Sequence, residues 1–166
     1  MDSQGGTVRL DFVWRAAEKL EFDELSELAH KVVREKGFLL VDFSMRKTGT
    51  KYMIRLLVDR PGRITIMECV RISKAFQDAM DQELVMEGEN YRLEVSSPGV
   101  GRLLSREVDW VRTVGRKLSI RLETEEFVGY LEEYDSDILK FRNGRVIPVS
   151  EIVSAVEVLD MGSGGS

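Results

Sequence analysis

Cysteine is nearly absent: Cys69 stands alone in 166 residues. With no second thiol there can be no internal disulfide, and a lone thiolate cannot by itself assemble a zinc site. Histidine is as scarce. The only one, His30, sits beside Ala29 in a helical pattern where a surface position is expected, so nucleophilic catalysis lacks its usual base. Cys69 falls on an apolar helix face, where a free cysteine packs as a small hydrophobe. Phosphate loops are missing too, since neither G-x-G-x-x-G nor G-x-x-x-x-G-K-[ST] occurs, and nucleotide hydrolysis is not expected. Ser96-Ser97-Pro98-Gly99 follows a strand as a nucleophile elbow would, but it lacks G-x-S-x-G. The longest apolar run is Phe38-Leu39-Leu40-Val41, far short of the roughly 20 residues that cross a bilayer. The start, Met1-Asp2-Ser3-Gln4-Gly5-Gly6, has neither the basic beginning nor the apolar stretch of a secretory signal. A cytoplasmic protein is expected, with no membrane contact, no catalytic residue, no metal and no cofactor.

Enough apolar material is present for a real core: 43% of residues are hydrophobic and 32% charged, which excludes wholesale disorder. The formal net charge of -5 argues against indiscriminate nucleic-acid binding, so any such contact must be local. Charge is unevenly spread. Residues 102–121 hold Arg102, Arg106, Arg112, Arg116, Lys117 and Arg121 against Glu107 and Asp109. Residues 122–137 then carry Glu123, Glu125, Glu126, Glu132, Glu133, Asp135 and Asp137 with no Lys or Arg. Two solvated faces on neighbouring strands would explain this as well as a binding patch would, and spatial clustering must decide.

Apolar residues at Phe22, Leu25, Leu28, Ala29, Val32 and Val33 have the spacing of a helix with one buried face, which Gly37 is placed to end. Phe38 to Met45 reads as a strand, Lys47-Thr48-Gly49-Thr50 as a turn, and Tyr52, Ile54, Leu56 and Val58 as the alternating face of a second strand. Asp59-Arg60-Pro61-Gly62 is a turn by composition. Thr65 followed three residues later by Glu68 is a capping box, opening a helix lined by Cys69, Ile72, Phe76, Ala79 and Met80. After the polar loop Glu87-Gly88-Glu89-Asn90, Tyr91, Leu93 and Val95 alternate with Arg92 and Glu94 in a third strand, closed by Ser97-Pro98-Gly99.

Ser105 can cap a short helix through Val111. From Gly115 onward only strands are predicted: around Leu118 to Leu122, Phe127 to Tyr134, Ile138 to Phe141, Val146 to Val149 and Ile152 to Val158, with Asn143-Gly144 as a hairpin signal. Five short strands with few residues to spare favour a small closed or nearly closed barrel. The predicted organisation is an extension over 1–21, an α+β N-terminal domain over 22–100, a linker with a short helix over 101–114, an all-β small barrel over 115–160 and a flexible tail over 161–166. Trp14, Ala17 and Leu20 could extend the first helix backwards.

The segment Tyr91-Arg92-Leu93-Glu94-Val95-Ser96-Ser97-Pro98-Gly99-Val100-Gly101-Arg102-Leu103-Leu104 resembles the signature of the RimP family of bacterial ribosome maturation factors, in which a strand ending in L-E-V-S-S-P-G leads through an Arg-containing stretch into the C-terminal module. Gly37-Phe38, Leu57-Val58-Asp59, Ile64-Thr65-Ile66 and Glu68-Cys69 fall in the family's order, and the likeness spans about residues 20 to 160. Gly101 and Leu103 stand where the family usually has Asp and Pro, and Met67 stands where an acidic residue is common before Glu68.

The resemblance implies a helix-hairpin-helix-strand domain with a KH-like arrangement, followed by an Sm-like barrel. It also implies a non-enzymatic factor for maturation of the small (30S) ribosomal subunit, binding rRNA and a ribosomal protein near the central pseudoknot and favouring correct rRNA folding and protein incorporation. A monomer is expected. The residues expected to touch RNA or the ribosome are Arg92, Glu94, Arg102, Arg106, Arg116 and Lys117, the last four as phosphate contacts, while Arg92 and Glu94 could instead make an exposed sheet surface for a protein partner. Ser96, Ser97, Pro98 and Gly99 form the family-motif turn, expected to set the geometry between modules. The acidic 122–137 segment could instead attract basic ribosomal proteins. A rival reading is an Sm-like RNA chaperone or regulator that binds free single-stranded RNA, which would want stacking platforms such as Phe127, Tyr130, Tyr134 and Phe141.

Overall fold

The computed structural model describes residues 21–83 and 91–160. Expectations for the 1–20 extension, the 87–90 loop and the 161–166 tail lie outside them. The described chain is α+β, built as two sheets with a separate hydrophobic core beneath each.

Helix α1 covers residues 21–35 in the described chain. It buries Leu25, Leu28, Ala29, Val32 and Val33, one stripe at helical spacing, and exposes His30. It stops where the pattern predicts. Gly37 adopts φ +86°, and the Gly37 and Phe38 amides donate to the Arg34 and Val33 carbonyls at 2.9 and 3.0 Å, a Schellman ending that a residue with a Cβ would strain. Strands β1 (Leu39–Thr48) and β2 (Lys51–Asp59) form the expected antiparallel hairpin. Helix α2 (Ile66–Glu83) crosses back over the sheet and delivers β3 (Tyr91–Ser96), which lies parallel to β2. The capping box forms: Glu68 N donates to Thr65 Oγ1 at 3.1 Å and Thr65 N to Glu68 Oε1 at 2.9 Å.

The resulting sheet has the order β1-β2-β3. Ile54, Leu56 and Val58 of β2 pack with Phe43, Met45, Tyr91, Leu93 and Val95 against both helices, together with Ile72, Phe76 and Met80 of α2. Because side chains alternate across a strand, Ser44, Arg46, Met53, Arg55, Leu57, Arg92 and Glu94 point to the opposite, outer face. One irregularity matters later. The β1–β2 register slips between Leu40 and Asp42, and Val41 at this bulge is 1% exposed while belonging to neither core.

The second unit follows helix α3 (Glu107–Arg112) and comprises β4 (Lys117–Arg121), β5 (Glu126–Asp135), β6 (Ile138–Phe141), β7 (Val146–Pro148) and β8 (Ser154–Glu157). All pairs are antiparallel in the order β7-β6-β5-β4-β8. Strand β5 serves two neighbours: Glu126–Tyr130 pair with β4 and Leu131–Asp135 with β6, with a bulge after Leu131. Leu118, Ile120, Leu131, Leu139, Phe141, Ile147 and Ala155 make its core, into which α3 inserts Trp110. The sequence pattern predicts one last strand from Ile152, but a 3-10 turn (Val149–Glu151) precedes a shorter β8. The outer edge of β8 is covered by the linker: Leu103 bridges Val156, and Leu104 N donates to Ala155 O at 2.9 Å. The cap of α3 also differs from expectation. Ser105 supplies a backbone donor only, and it is the Asp109 carboxylate that accepts from Ser105 N and Arg106 N, each at 3.0 Å.

Candidate functional site

Six residues in an α-helix make a marginal element on their own, so α3 exists because both of its sides are held. Trp110, 2% exposed, anchors it to the second core. Its other side meets the first sheet, where Asp59 at the end of β2 is 1% exposed. The Asp59 carboxylate binds the Arg116 guanidinium through two parallel bonds, Nη1 to Oδ2 at 2.8 Å and Nη2 to Oδ1 at 2.9 Å. Arg112 Nη1 reaches the same Oδ2 at 3.1 Å, and the amides of Arg60 and Ile64 donate to Oδ1 at 2.9 and 3.3 Å. One carboxylate thus closes its own turn and holds two arginines from the other unit.

The network extends from there. Arg112 Nε donates to Asp109 Oδ1 at 3.3 Å, Arg116 Nη2 to the Arg60 carbonyl at 2.8 Å, and Arg116 Nη1 to Glu157 Oε2 at 3.4 Å. Exposed Arg63 caps the buried Glu157 from outside. Charges this deep persist only when paired and hydrogen-bonded. Burial pushes the Asp59 carboxyl up, but the hydrogen bonds and charge of Arg116, with the two backbone amides, outweigh that and hold it below the usual carboxylate range. Asp109 behaves alike: burial is overcome by the Ser105 and Arg106 amides and by Arg112. For Arg116 burial disfavours the charge, yet Asp59 and Glu157 raise its pKa further. Val41 and Leu57, 1% and 8% exposed, belong to neither core, and Arg106 donates to the Val41 carbonyl.

This geometry divides the expected contact residues. Arg116 is a correction. It was expected to meet phosphate, but it is 8% exposed and its charge is spent on Asp59 and Glu157. Arg112 is likewise consumed, so the basic 102–121 segment offers less free charge than its composition suggests. Arg102 and Arg106 stay accessible at the linker, with side chains 33% and 51% exposed, Arg102 facing Asp42 at 3.4 Å. Lys117 is half-buried on the rim of a cleft of about 290 Å³ lined also by Gly62, Arg63, Arg116 and Glu157. Arg92 and Glu94 lie on β3, exposed on the outer face of the first sheet and away from that cleft. Ser97 and Gly99 are exposed in the turn between, and Ser96 and Pro98 half-buried. The acidic residues of 122–137 are all exposed.

Asp59, Asp109, Arg112 and Glu157 were not anticipated as a group. The available signal was Asp109 and Arg112 at i, i+3 beside Trp110 on a helix too short to stand alone. Among the candidates for other chemistry, Cys69 is buried in the first core, where burial, with Glu68 and Asp59 nearby, pushes its thiol up. Among the described residues, no group of three or more His, Cys, Asp and Glu side chains is placed to hold a metal ion, and no helix is long and apolar enough to cross a membrane. The aromatic rings of the second sheet are engaged. Phe141 is buried against Phe127, Arg145 lies 4.0 Å over Phe127, and Arg142 lies 4.5 Å over Tyr130.

Comparison with known families adds one finding. Residues 28–101 match the family model described as the RimP N-terminal domain. The matched stretch runs from α1 through the whole first sheet, includes Asp59, and ends just past the Ser96–Gly99 turn. Over these residues the resemblance stated from the sequence is borne out.

Proposed function

This chain carries the N-terminal domain of the RimP ribosome maturation factors, and from that premise we propose that it is a non-enzymatic assembly factor for the small (30S) ribosomal subunit. The observation that carries the reading is the family match over the first sheet and the motif turn. The protein works in the cytoplasm as a monomer. It binds an immature subunit near its central pseudoknot, touching rRNA and a neighbouring ribosomal protein. Binding one rRNA conformation better than its competitors shifts the population toward the assembly-competent form, with no nucleotide consumed.

In this reading the chain has a KH-like domain over 22–100, an Sm-like barrel over 115–160 and a linker over 101–114. The buried ion network supports it, because two units held in one orientation can match a preformed surface without losing orientational freedom on binding. Arg102, Arg106 and Lys117 are the linker-side contacts, Arg92 and Glu94 the sheet-side ones, and the Ser96–Gly99 turn spaces the two. The rival reading, a chaperone stacking free single-stranded RNA on its barrel, is disfavoured by Arg142 and Arg145 lying over Tyr130 and Phe127.

Co-sedimentation with purified small subunits, large subunits and protein-free RNA tests the proposal. Preferential pelleting with small subunits is expected. Equal affinity for both subunits, or preference for free RNA, overturns it.

A further inference from the structure

Among the described residues, the side chains at one end of the first sheet's outer face are exposed, and that end is basic. Strand pairing sets Arg46 beside Met53 and Met53 beside Arg92, and in the next row Ser44 beside Arg55 and Arg55 beside Glu94. Lys51 follows two residues before Met53 on the same face. With strands about 4.8 Å apart and same-face residues about 7 Å apart along each, four basic side chains share a patch one or two nucleotides long. All four are exposed, as are Ser44 and Glu94. Glu94 is the single acid among them. It stands 3.9 Å from Arg55 with both side chains about half exposed, so it neutralises one arginine only in part. Among the described residues no ion pair holds Arg46, Lys51 or Arg92. The concentration is notable in a chain whose net charge is -5.

We propose that this end of the sheet is a docking surface for the sugar-phosphate backbone of RNA, with Arg46, Lys51, Arg55 and Arg92 as the phosphate contacts, flanked by the Ser44 hydroxyl. The inference deepens the assembly-factor reading and rests on it for the source of the RNA. It adds three residues to Arg92 and reverses the role expected of Glu94. Charge complementarity fixes the occupant. A polyanion is attracted to this face and repelled by Glu94, whereas a basic ribosomal protein would be repelled by the four cations and drawn only to Glu94 and to Asp42, which lies one row beyond Ser44 and is already paired with Arg102. Among the described residues this end of the face has no aromatic ring and Met53 as its apolar side chain, so it reads backbone and not base sequence.

The triple variant Arg46→Gln/Arg55→Gln/Arg92→Gln tests this beside a charge-matched control, Arg34→Gln/Lys36→Gln/Lys74→Gln, at exposed positions on α1, the turn after it and α2. The probes are transcribed small-subunit rRNA and purified small subunits, each titrated over salt, with thermal melting to confirm folding. On rRNA the outer-face triple should lose tenfold or more in affinity, and its slope of log K against log salt should flatten by roughly two to three, about one per lost contact. The control should lose much less. Glu94→Gln should tighten rRNA binding. Unchanged affinity and slope in the triple, or weaker binding by Glu94→Gln, overturns the proposal and leaves the assembly reading standing if the wild type still pellets with small subunits. Loss of subunit binding with unaltered rRNA binding assigns the face to a protein partner and also overturns it. Wild-type protein that binds rRNA through this face but does not prefer small subunits sinks the assembly reading alone.

Discussion

The outer face of the first sheet has two ends, and arginine does opposite things at them. At the β2 C-terminus, Arg112 and Arg116 arrive from the second unit, lose nearly all contact with water and clamp Asp59. At the hairpin end, Arg46, Arg55 and Arg92 keep theirs. The side chain is the same, and desolvation decides its use. A guanidinium buried against a carboxylate is a fixed strut whose removal leaves an unpaired charge. An exposed one contributes little to stability and remains available to a partner.

Breaking the strut should have the largest effect. Asp59→Asn keeps the local turn bonds but removes the charge that two buried guanidiniums share, leaving Arg112 with Asp109 and Arg116 with Glu157 and the Arg60 carbonyl, and it should cost about 3–5 kcal/mol, read as a lower urea midpoint. A midpoint within error of wild type would erase the distinction between the two ends. Arg116→Lys keeps the charge and loses the fork, so an intermediate cost of roughly 1–3 kcal/mol is expected. Acid should act on the same lock. Asp59 and Asp109 have folded pKa values below their unfolded ones, so their contribution is intact above the unfolded value near 3.9 and is lost as pH falls through the folded value. Stability measured against pH should therefore drop below about pH 4, and the drop should be shallower in Asp59→Asn. Arg102→Ala, which breaks a half-exposed pair with Asp42, should cost less than about 1 kcal/mol while lowering affinity for small subunits. Smallest of all should be the effect of the outer-face triple variant on melting temperature. A large destabilisation there would mean those arginines are struts too.

How much of this could be read beforehand follows from how local each feature is. The helix ending at Gly37, the capping box of Thr65 and Glu68 and the alternation through Ile54 and Leu56 are set by neighbours a few residues apart, and each appears as predicted. Asp59 was legible as a turn residue, and it does accept from the Arg60 and Ile64 amides. Its second role depends on arginines 53 and 57 residues away, which periodicity cannot bring near. Counting charge over 102–121 could not separate Arg116, which is buried, from Arg106, which is not. The basic end of the sheet was half visible. Arg92 stood out in the motif strand, but setting it in line with Arg46 needs the parallel pairing of β2 and β3 across α2.

The central claim is that Asp59 holds the two units in one orientation. Spin labels at Lys74→Cys on α2 and Glu132→Cys on β5, in a Cys69→Ala background, would report the distance between them by pulsed electron resonance. The account predicts one narrow distribution, unchanged when small subunits are added and broadened by Asp59→Asn. A broad distribution in the otherwise wild-type protein, or one that Asp59→Asn leaves as narrow as before, would contradict it.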